Sequence, residues 1–279
     1  MKTPFTKMQA LGNDFVVFDA TRQALSLTAA MAARIAHRQL GIGCDQILLV
    51  EASDRDAIDF KYRILNADGS EVGQCGNGAR CFMHFVRQQG LTDKRTLSVA
   101  TLGGDLLLEL LDDDQVRVNM GIPKFAPADI PLAVDNEAPK YSIKKDGDAI
   151  EFYALSIGNP HAVIEVDNVS SAPVDLVGPM LESHPLFPER VNVGFMQINS
   201  KTDIALRVFE RGAGETLACG SGACAAVVAG IRAGKLANQV SAQLPGGRLQ
   251  IEWAGNAEPV FMSGPAYTSF TGEIDLSEL

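Results

Sequence analysis

Two stretches of the chain set apolar residues at helical spacing directly behind a cysteine and two glycines. After Cys75-Gly-Asn-Gly the stripe is Ala79, Phe82, Met83 and Val86; after Cys219-Gly-Ser-Gly the matching positions are Ala223, Ala226, Val227 and Gly230. The i, i+3, i+4, i+7 pattern predicts one core-facing helical face in each case. The helices should run over about 76–89 and 220–233, closed by Gly90 and Gly234 at the left-handed cap position. The second is apolar on almost every face, so it should be buried on all sides. A further helix is predicted from Thr28 to Gln39, capped by Thr28 or Ser26 and ended by Gly41. Short apolar runs, Phe15–Phe18 and Ala162–Val166, read as strands.

The two helical stretches belong to a longer repeat. Residues 62–79 align without gaps on residues 206–223, an offset of 144, with identical pairs Arg63/Arg207, Glu71/Glu215, Cys75/Cys219, Gly76/Gly220, Gly78/Gly222 and Ala79/Ala223. Gly12-Asn13 and Gly158-Asn159 each precede a strand. Leu102-Gly103-Gly104 and Pro245-Gly246-Gly247 each precede another, and Met120-Gly121 echoes Ser263-Gly264. The order and near-constant spacing predict an α+β fold made of two pseudo-symmetric, duplicated domains, each a set of strands wrapped around a central helix. The boundary is expected near Pro123. That gives a first domain over 1–122, with 264–279 returning to it, and a second over 123–263, the active site lying in the cleft between them.

Composition narrows the function classes. With 279 residues, 46% of them hydrophobic, the chain is long enough for a substantial core. A net charge of −10 and the absence of any basic cluster argue against nucleic acid and anionic membrane as partners. No apolar h-region follows Lys2, and the nearly apolar run Ala223–Ile231 is too short to span a bilayer. A soluble, cytoplasmic protein is expected. Five cysteines, an odd number, do not form a disulfide framework in a chain of this length. Cys44, Cys81 and Cys224 read as buried structural thiols. Cys81 sits about 240° around the helix from Cys75, and Cys224 about 140° from Cys219, so neither pair offers two sulfurs to a metal. His37, His84 and His184 read as surface or satisfied histidines. No nucleotide-binding glycine motif or Walker lysine is present.

Cys75 and Cys219 are different, because they hold equivalent positions in a repeat and each stands at a helix start. Unpaired backbone N–H groups and the positive end of the macrodipole favour a thiolate there. The glycines let those same amides approach a carboxylate. Two thiols on opposite faces of one α-carbon fit stereoinversion, in which one base removes a proton and an acid returns one. Amides at two helix starts could stabilise enediolate-like charge, and removing one such donor in other enzymes costs about 3 kcal/mol.

At these residues the chain resembles the diaminopimelate epimerase family over nearly its whole length. The matching segments are Met8-Gln-Ala-Leu-Gly-Asn-Asp-Phe, Gly41-Ile-Gly-Cys-Asp-Gln, Asn66-Ala-Asp-Gly-Ser, Gln74-Cys-Gly-Asn-Gly-Ala-Arg-Cys, Gly158-Asn-Pro-His, Val191-Asn-Val-Gly-Phe and Glu210-Arg-Gly-Ala-Gly-Glu-Thr-Leu-Ala-Cys-Gly-Ser-Gly. The resemblance implies cofactor-independent, metal-free epimerisation of LL- to meso-diaminopimelate, in lysine and cell-wall precursor biosynthesis, with Cys75 and Cys219 as acid and base. It implies substrate contacts from Asn13, Gln46, Asn66, Gly76, Asn77, Asn159, Asn192, Glu210, Arg211, Gly220 and Ser221, with His161 and Glu210 adjusting the thiol pKa values. It also implies a homodimer, although Phe270 stands where some relatives carry a tyrosine associated with the dimer contact.

The residues agree with that implication. Arg211 can grip a distal carboxylate with its planar fork, and the side-chain amides can read the distal carboxylate and ammonium. Asn66 and Glu210 both lie nine residues before a cysteine, so one half offers an amide where the other offers an acid. Three alternatives stay open: a proline racemase or hydroxyproline epimerase-like enzyme, a thiol redox or binding protein, and a pyridoxal-phosphate racemase. Against the last two stand the absence of a Cys-Xaa-Xaa-Cys motif and of a lysine in a phosphate-binding context.

Overall fold

The structure, a computed structural model, describes all residues other than Met1, Ala24, Gln74, Asp146 and Leu279. Gln74, which opens the Gln74-Cys-Gly-Asn-Gly segment, therefore lies outside the described residues. The chain divides into two compact units, Met1–Val118 with Ser263–Leu279, and Asn119–Met262.

In the first unit the order is β1 (Lys2–Ala10), β2 (Asn13–Ala20), α1 (Ala29–Ala36), β3 (Gln46–Ala52), β4 (Phe60–Asn66), α2 (Gly76–Gln88), β5 (Thr96–Thr101), β6 (Gly104–Leu110) and β7 (Val116–Asn119). Pairing alternates: β1 and β2 are antiparallel, β2 and β3 parallel, β3 and β4 antiparallel, β4 and β5 parallel, β5 and β6 antiparallel. The parallel steps are those bridged by α1 and α2, as crossover connections require.

The second unit repeats this scheme. After β8 (Tyr141–Lys145) come β9 (Asp148–Ser156), β10 (Pro160–Glu165), α3 (Val174–Glu182), β11 (Asn192–Ser200), β12 (Asp203–Glu210), the short β13 (Gly214–Thr216), α4 (Gly220–Arg232), β14 (Gln239–Leu244), β15 (Gly247–Glu252) and β16 (Phe261–Gly264). The pairs β9/β10, β10/β11, β11/β12, β12/β14 and β14/β15 are antiparallel, parallel, antiparallel, parallel and antiparallel in turn. A last strand, β17 (Tyr267–Asp275), pairs antiparallel with β1 of the first unit. The fold is α+β and duplicated, as the repeat in the sequence requires.

The predicted central helices are α2 and α4, and their starts differ by the same 144 residues as the repeat. Residues Asn77 to Val86 of α2 are all buried, and so are Gly222 to Gly230 of α4. Helix α2 packs on β1, β2, β3, β6 and β17; α4 packs on β9, β10, β11, β12, β14 and β15. Gly90 and Gly234 follow the helices with φ of 64° and 72°, the left-handed conformation expected of a C-terminal cap. On the outer faces, α1 covers Val16, Phe18, Ile47 and Leu49, while α3 covers Ala162, Val193 and Phe195.

Helix α1 is shorter than its periodicity predicts. Thr28 is the N-cap, its hydroxyl accepting from Met31 N, but the helix ends at Ala36 rather than Gln39. His37 turns to extended backbone, and Ile42 and Gly43 return their amides to Ile35 O. This return places Gly41 so near the Arg34 carbonyl that a Cβ would lie 1.9 Å from its oxygen. It also frees Arg38 to reach Asp14 and Asp45.

Gly178, inside α3, gives a test of this packing. Alanine normally stabilises a helix interior relative to glycine, but a Cβ here would lie 2.6 Å from Phe209 Cγ. Gly178→Ala should therefore destabilise the protein by about 1–3 kcal/mol, read as a lower midpoint in urea unfolding. A stabilised variant would show that α3 does not sit this close to β12.

Candidate active site

The strand pairing carries most of the candidate residues to one end of each unit. In the first, β2 and β3 run parallel, so Asn13 and Gln46 begin at the same end, and β4 runs back to place Asn66 there. Gln46 and Asn66 are register partners, and Gln46 Nε2 donates to Asn66 Oδ1 at 3.0 Å. In the second, His161 and Asn192 are register partners at the starts of β10 and β11. Glu210 ends β12, one step beyond the Val193–Phe209 pair. Each helix, α2 or α4, follows its strand through a short connection and starts at that same end.

The glycine at the third helical position explains how close the helix comes. A Cβ on Gly78 would lie 2.2 Å from Tyr62 Oη, and one on Gly222 would lie 3.0 Å from Val208 Cγ2 and 3.2 Å from Cys219 Sγ. At 78 a Cβ would overlap the Tyr62 hydroxyl, and at 222 it would crowd both Val208 and the cysteine sulfur.

Cys75 is the N-cap of α2, its sulfur accepting from Gly78 N at 3.4 Å. Its Sγ is 4.0 Å from Asn13 Oδ1, which also accepts from Asn77 Nδ2 at 3.3 Å. Asn13 is itself held: its Nδ2 donates to Asp45 Oδ2 at 3.1 Å. Asp45 belongs to a charged cluster in which Arg38 grips Asp14 with two nitrogens and reaches Asp45, and Lys7 meets Asp14 at 2.6 Å. Lys7 also donates to Gly43 O. Burial alone would raise the Asp14 carboxyl, but hydrogen bonds from Arg38 and Lys7 hold it well below the usual carboxylate range.

Cys219 is the N-cap of α4, with Sγ 3.7 Å from Ser221 Oγ. Asn159 Nδ2 donates to Ser221 Oγ at 3.4 Å, repeating the Asn13–Asn77 contact of the first unit at equivalent positions. Asn159 Oδ1 lies 2.9 Å from His161 Nε2, so a polar chain runs from His161 through Asn159 and Ser221 to the sulfur. The expectation that a helix start lowers the thiol is corrected here. Cys219 is only 4% exposed, and burial first, then the negative charge of Glu210, push its thiol well above the ordinary range. Desolvation of the anion outweighs the helix amides. His161, also buried, is pushed down to about 3 by burial and by the charge of Arg211, so it remains neutral.

The remaining expected residues fall into place around Asn192. Asn192 Oδ1 accepts from Arg211 N at 3.0 Å, and its Nδ2 donates to Pro160 O at 3.0 Å. Thr216 Oγ1 donates to Glu210 Oε1. The exposed Arg211 guanidinium donates to Glu189 O at 2.9 Å, and no ion pair joins it to a carboxylate among the described residues. Gly76 and Gly220 are the first helical residues.

Sequence reasoning missed the groups that support these. Arg63 clasps Glu71 through two nitrogens at 3.0 Å each, and Arg207 clasps Glu215 at 2.6 and 2.7 Å. Both pairs were identical across the repeat, and that identity was the available signal. Buried Glu182 accepts from Gly212 N at 2.7 Å and holds the turn after Arg211. Cys44, Cys81 and Cys224 are buried, as expected of structural thiols, and burial pushes Cys44 up to about 12. His84 departs from expectation. It is buried, its Nδ1 lies 4.0 Å from Asp114 Oδ1, its Nε2 has no hydrogen-bond partner among the described residues, and burial lowers its pKa.

The family model described as Diaminopimelate epimerase matches residues 5–126 and 153–269. A diaminopimelate epimerase from Chromobacterium violaceum is 56% identical over 276 residues, covering 99% of this chain and 100% of its own. Another, from Nitrosospira multiformis, is 53% identical over 276 residues, covering 99% of both. Among solved structures, a hydroxyproline epimerase from Agrobacterium vitis superposes with a TM-score of 0.72 at 13% identity, covering 98% of this chain and 92% of its own. A PhzF-family phenazine biosynthesis protein from Bacillus anthracis does so with a TM-score of 0.66 at 15% identity, covering 98% and 99%. At such identities the two structures speak for the fold alone.

The neutral His161 makes a prediction with a definite sign. Its folded pKa lies below the unfolded value, so the unfolded chain takes up a proton that the native one refuses. Its contribution to stability is present above about pH 6.5 and is lost as pH falls towards 3. Across the middle of that window the loss is about 1.4 kcal/mol per pH unit. Urea unfolding of wild type and His161→Gln over this range should give converging stabilities at low pH; parallel curves would mean that His161 is protonated in the fold.

Proposed function

The chain belongs to the diaminopimelate epimerase family, and on that premise we propose that it interconverts LL- and meso-diaminopimelate without a cofactor, using Cys75 and Cys219 as its two bases. The observation that carries the residue assignment is the equivalence of the two helix starts: same offset, same N-cap position, same Gly two residues after the next. One thiol removes the α-proton and the other returns one to the opposite face, with the roles exchanged for the reverse direction. The buried Cys219, beside Glu210, is supplied as the protonated partner; Cys75, more open and capped by Gly78 N, takes the α-proton in one direction of the reaction.

The α-carboxylate would be received by backbone amides of the two first turns, at Gly76–Asn77 and Gly220–Ser221, where charge developing on the enediolate is stabilised by donors already in place. Asn13 and Asn159 orient those turns. Asn66 and Gln46 on one side, and Asn192, Glu210 and Arg211 on the other, read the distal ammonium and carboxylate. His161, neutral at working pH, acts by fixing Asn159 rather than by carrying charge. The proposal includes a homodimer and a cytoplasmic location. No helix among the described residues is long and apolar enough to cross a membrane.

Solvent deuterium should enter the α-position of diaminopimelate with no cofactor added, and each of Cys75→Ala and Cys219→Ala should lower turnover by about a thousandfold. Circular dichroism should be unchanged in both. Near-wild-type turnover by either variant would remove that cysteine from the reaction.

Arg211→Lys keeps the charge but loses the planar fork, so kcat/KM for diaminopimelate should drop by at least about tenfold. Alanine and proline should be very poor substrates. Comparable efficiency on proline would leave the chemistry standing and overturn the substrate.

A further inference from the structure

The two helix starts are alike in backbone and unlike in charge. Arg80, fully buried at 0% exposure, follows the first turn of α2. Helical side chains lean towards the N-terminus, and this one brings its guanidinium back over the residues beside Cys75. Its Nη1 donates to Gly76 O at 3.3 Å, its Nη2 to Asn77 Oδ1 at 3.1 Å, and its Nε to Pro265 O at 3.1 Å. The equivalent position of α4 is Cys224, a neutral thiol, and the acid of the second unit, Glu210, is matched in the first by neutral Asn66.

A guanidinium is always charged, and a cation near a helix N-terminus opposes the macrodipole. Burial adds to that cost. Hydrogen bonds to Gly76 O, Asn77 Oδ1 and Pro265 O offset part of that cost, and negative charge held at the same helix start would offset more. We propose that Arg80 is a positioning residue that fixes the first turn of α2 and biases Cys75 towards the thiolate. Through Asn77 Oδ1 it also holds that amide, whose Nδ2 donates to Asn13 Oδ1 and so competes for the oxygen to which the Cys75 thiol donates.

The other charged and titratable groups around α2 leave this role to Arg80. From β1, Lys7 is matched by Asp14 of β2 at 2.6 Å. From β4, the Tyr62 phenol is held neutral by burial, and it donates to Cys75 O at 3.4 Å. On α2 itself, burial pushes Cys81 up, with Arg80 opposing that rise, and burial keeps His84 neutral. From β6, Asp105 pairs with Arg55 at the surface and Glu109 faces Arg117 at 3.8 Å. The field of Arg80 thus reaches Tyr62 and Cys81, the neighbours of Cys75 on two sides.

This inference rests on the reading of Cys75 as one of the two bases, but its test needs no turnover. The pH dependence of iodoacetamide alkylation at Cys75, mapped by peptide mass, would be compared for the full-length wild type, Arg80→Gln and Arg80→Lys. In Arg80→Gln the midpoint should rise by about one pH unit, a tenfold slower alkylation below both midpoints, with the profile of Cys219 unchanged. Arg80→Lys should keep the wild-type midpoint while KM rises, because the paired contacts to Gly76 O and Asn77 Oδ1 are lost. A folded Arg80→Gln protein with an unshifted Cys75 midpoint would overturn the proposal. If Arg80→Gln does not fold, Arg80→Lys decides, since a midpoint raised by a unit despite the retained charge would overturn it equally. Turnover retained by Cys75→Ala would instead refute the base assignment.

Discussion

Everything at the functional end of each unit follows from burying the start of a helix. Helices α2 and α4 are enclosed by strands over most of their length, so the amides of their first turns cannot rely on bulk water. They must be satisfied by a cap, by neighbouring side chains or by a ligand. A cysteine sulfur is a weak acceptor, which leaves these amides available to a bound anion in a way that an aspartate or serine cap would not. Glycine at 78 and 222 keeps each first turn close to its strand, where a Cβ would overlap Tyr62 Oη in one unit and crowd Val208 in the other. The asparagines at 13 and 159 fall beside the caps because β2 and β10 begin at that end of their sheets.

Duplication supplies two such starts, but stereoinversion by two bases needs them in different protonation states. The differences are concentrated at a few repeat positions. Asn66 stands opposite Glu210, Arg80 opposite Cys224, and the more open Cys75 opposite the enclosed Cys219. In the second unit, burial and Glu210 act in the same direction, and both keep the thiol protonated. On the proposed reading, backbone symmetry would provide two equivalent donors and acceptors, and side-chain asymmetry would decide which of them holds the proton.

A second layer keeps these starts rigid. Arg63–Glu71 and Arg207–Glu215 tie each strand to the connection that leads into its helix. Both pairs are partly exposed, so their value lies less in net stability than in fixing the connection's geometry. The Lys7–Asp14–Arg38–Asp45 cluster does the same for Asn13, and Glu182 does it for the turn after Arg211. Shortening of α1 belongs to this layer, since Arg38 can reach both aspartates only after the helix has ended.

The sequence by itself determined the duplication, the two central helices with their glycine caps, and the pair of cysteines. All of these are local: helical periodicity, left-handed glycine and a fixed repeat offset are written residue by residue. It also determined the family, through segments that keep their order along the chain. Only the tertiary structure decided the end of α1, the buried and unsatisfied His84, the neutral His161 and the raised thiol of Cys219. Those depend on which atoms surround a group after folding, and the free energy of a charge is set by its neighbours and its access to water, neither of which adjacent residues specify. Arg80 and Cys224 illustrate the division: the sequence makes one a cation and the other a thiol, and folding buries both at 0% exposure.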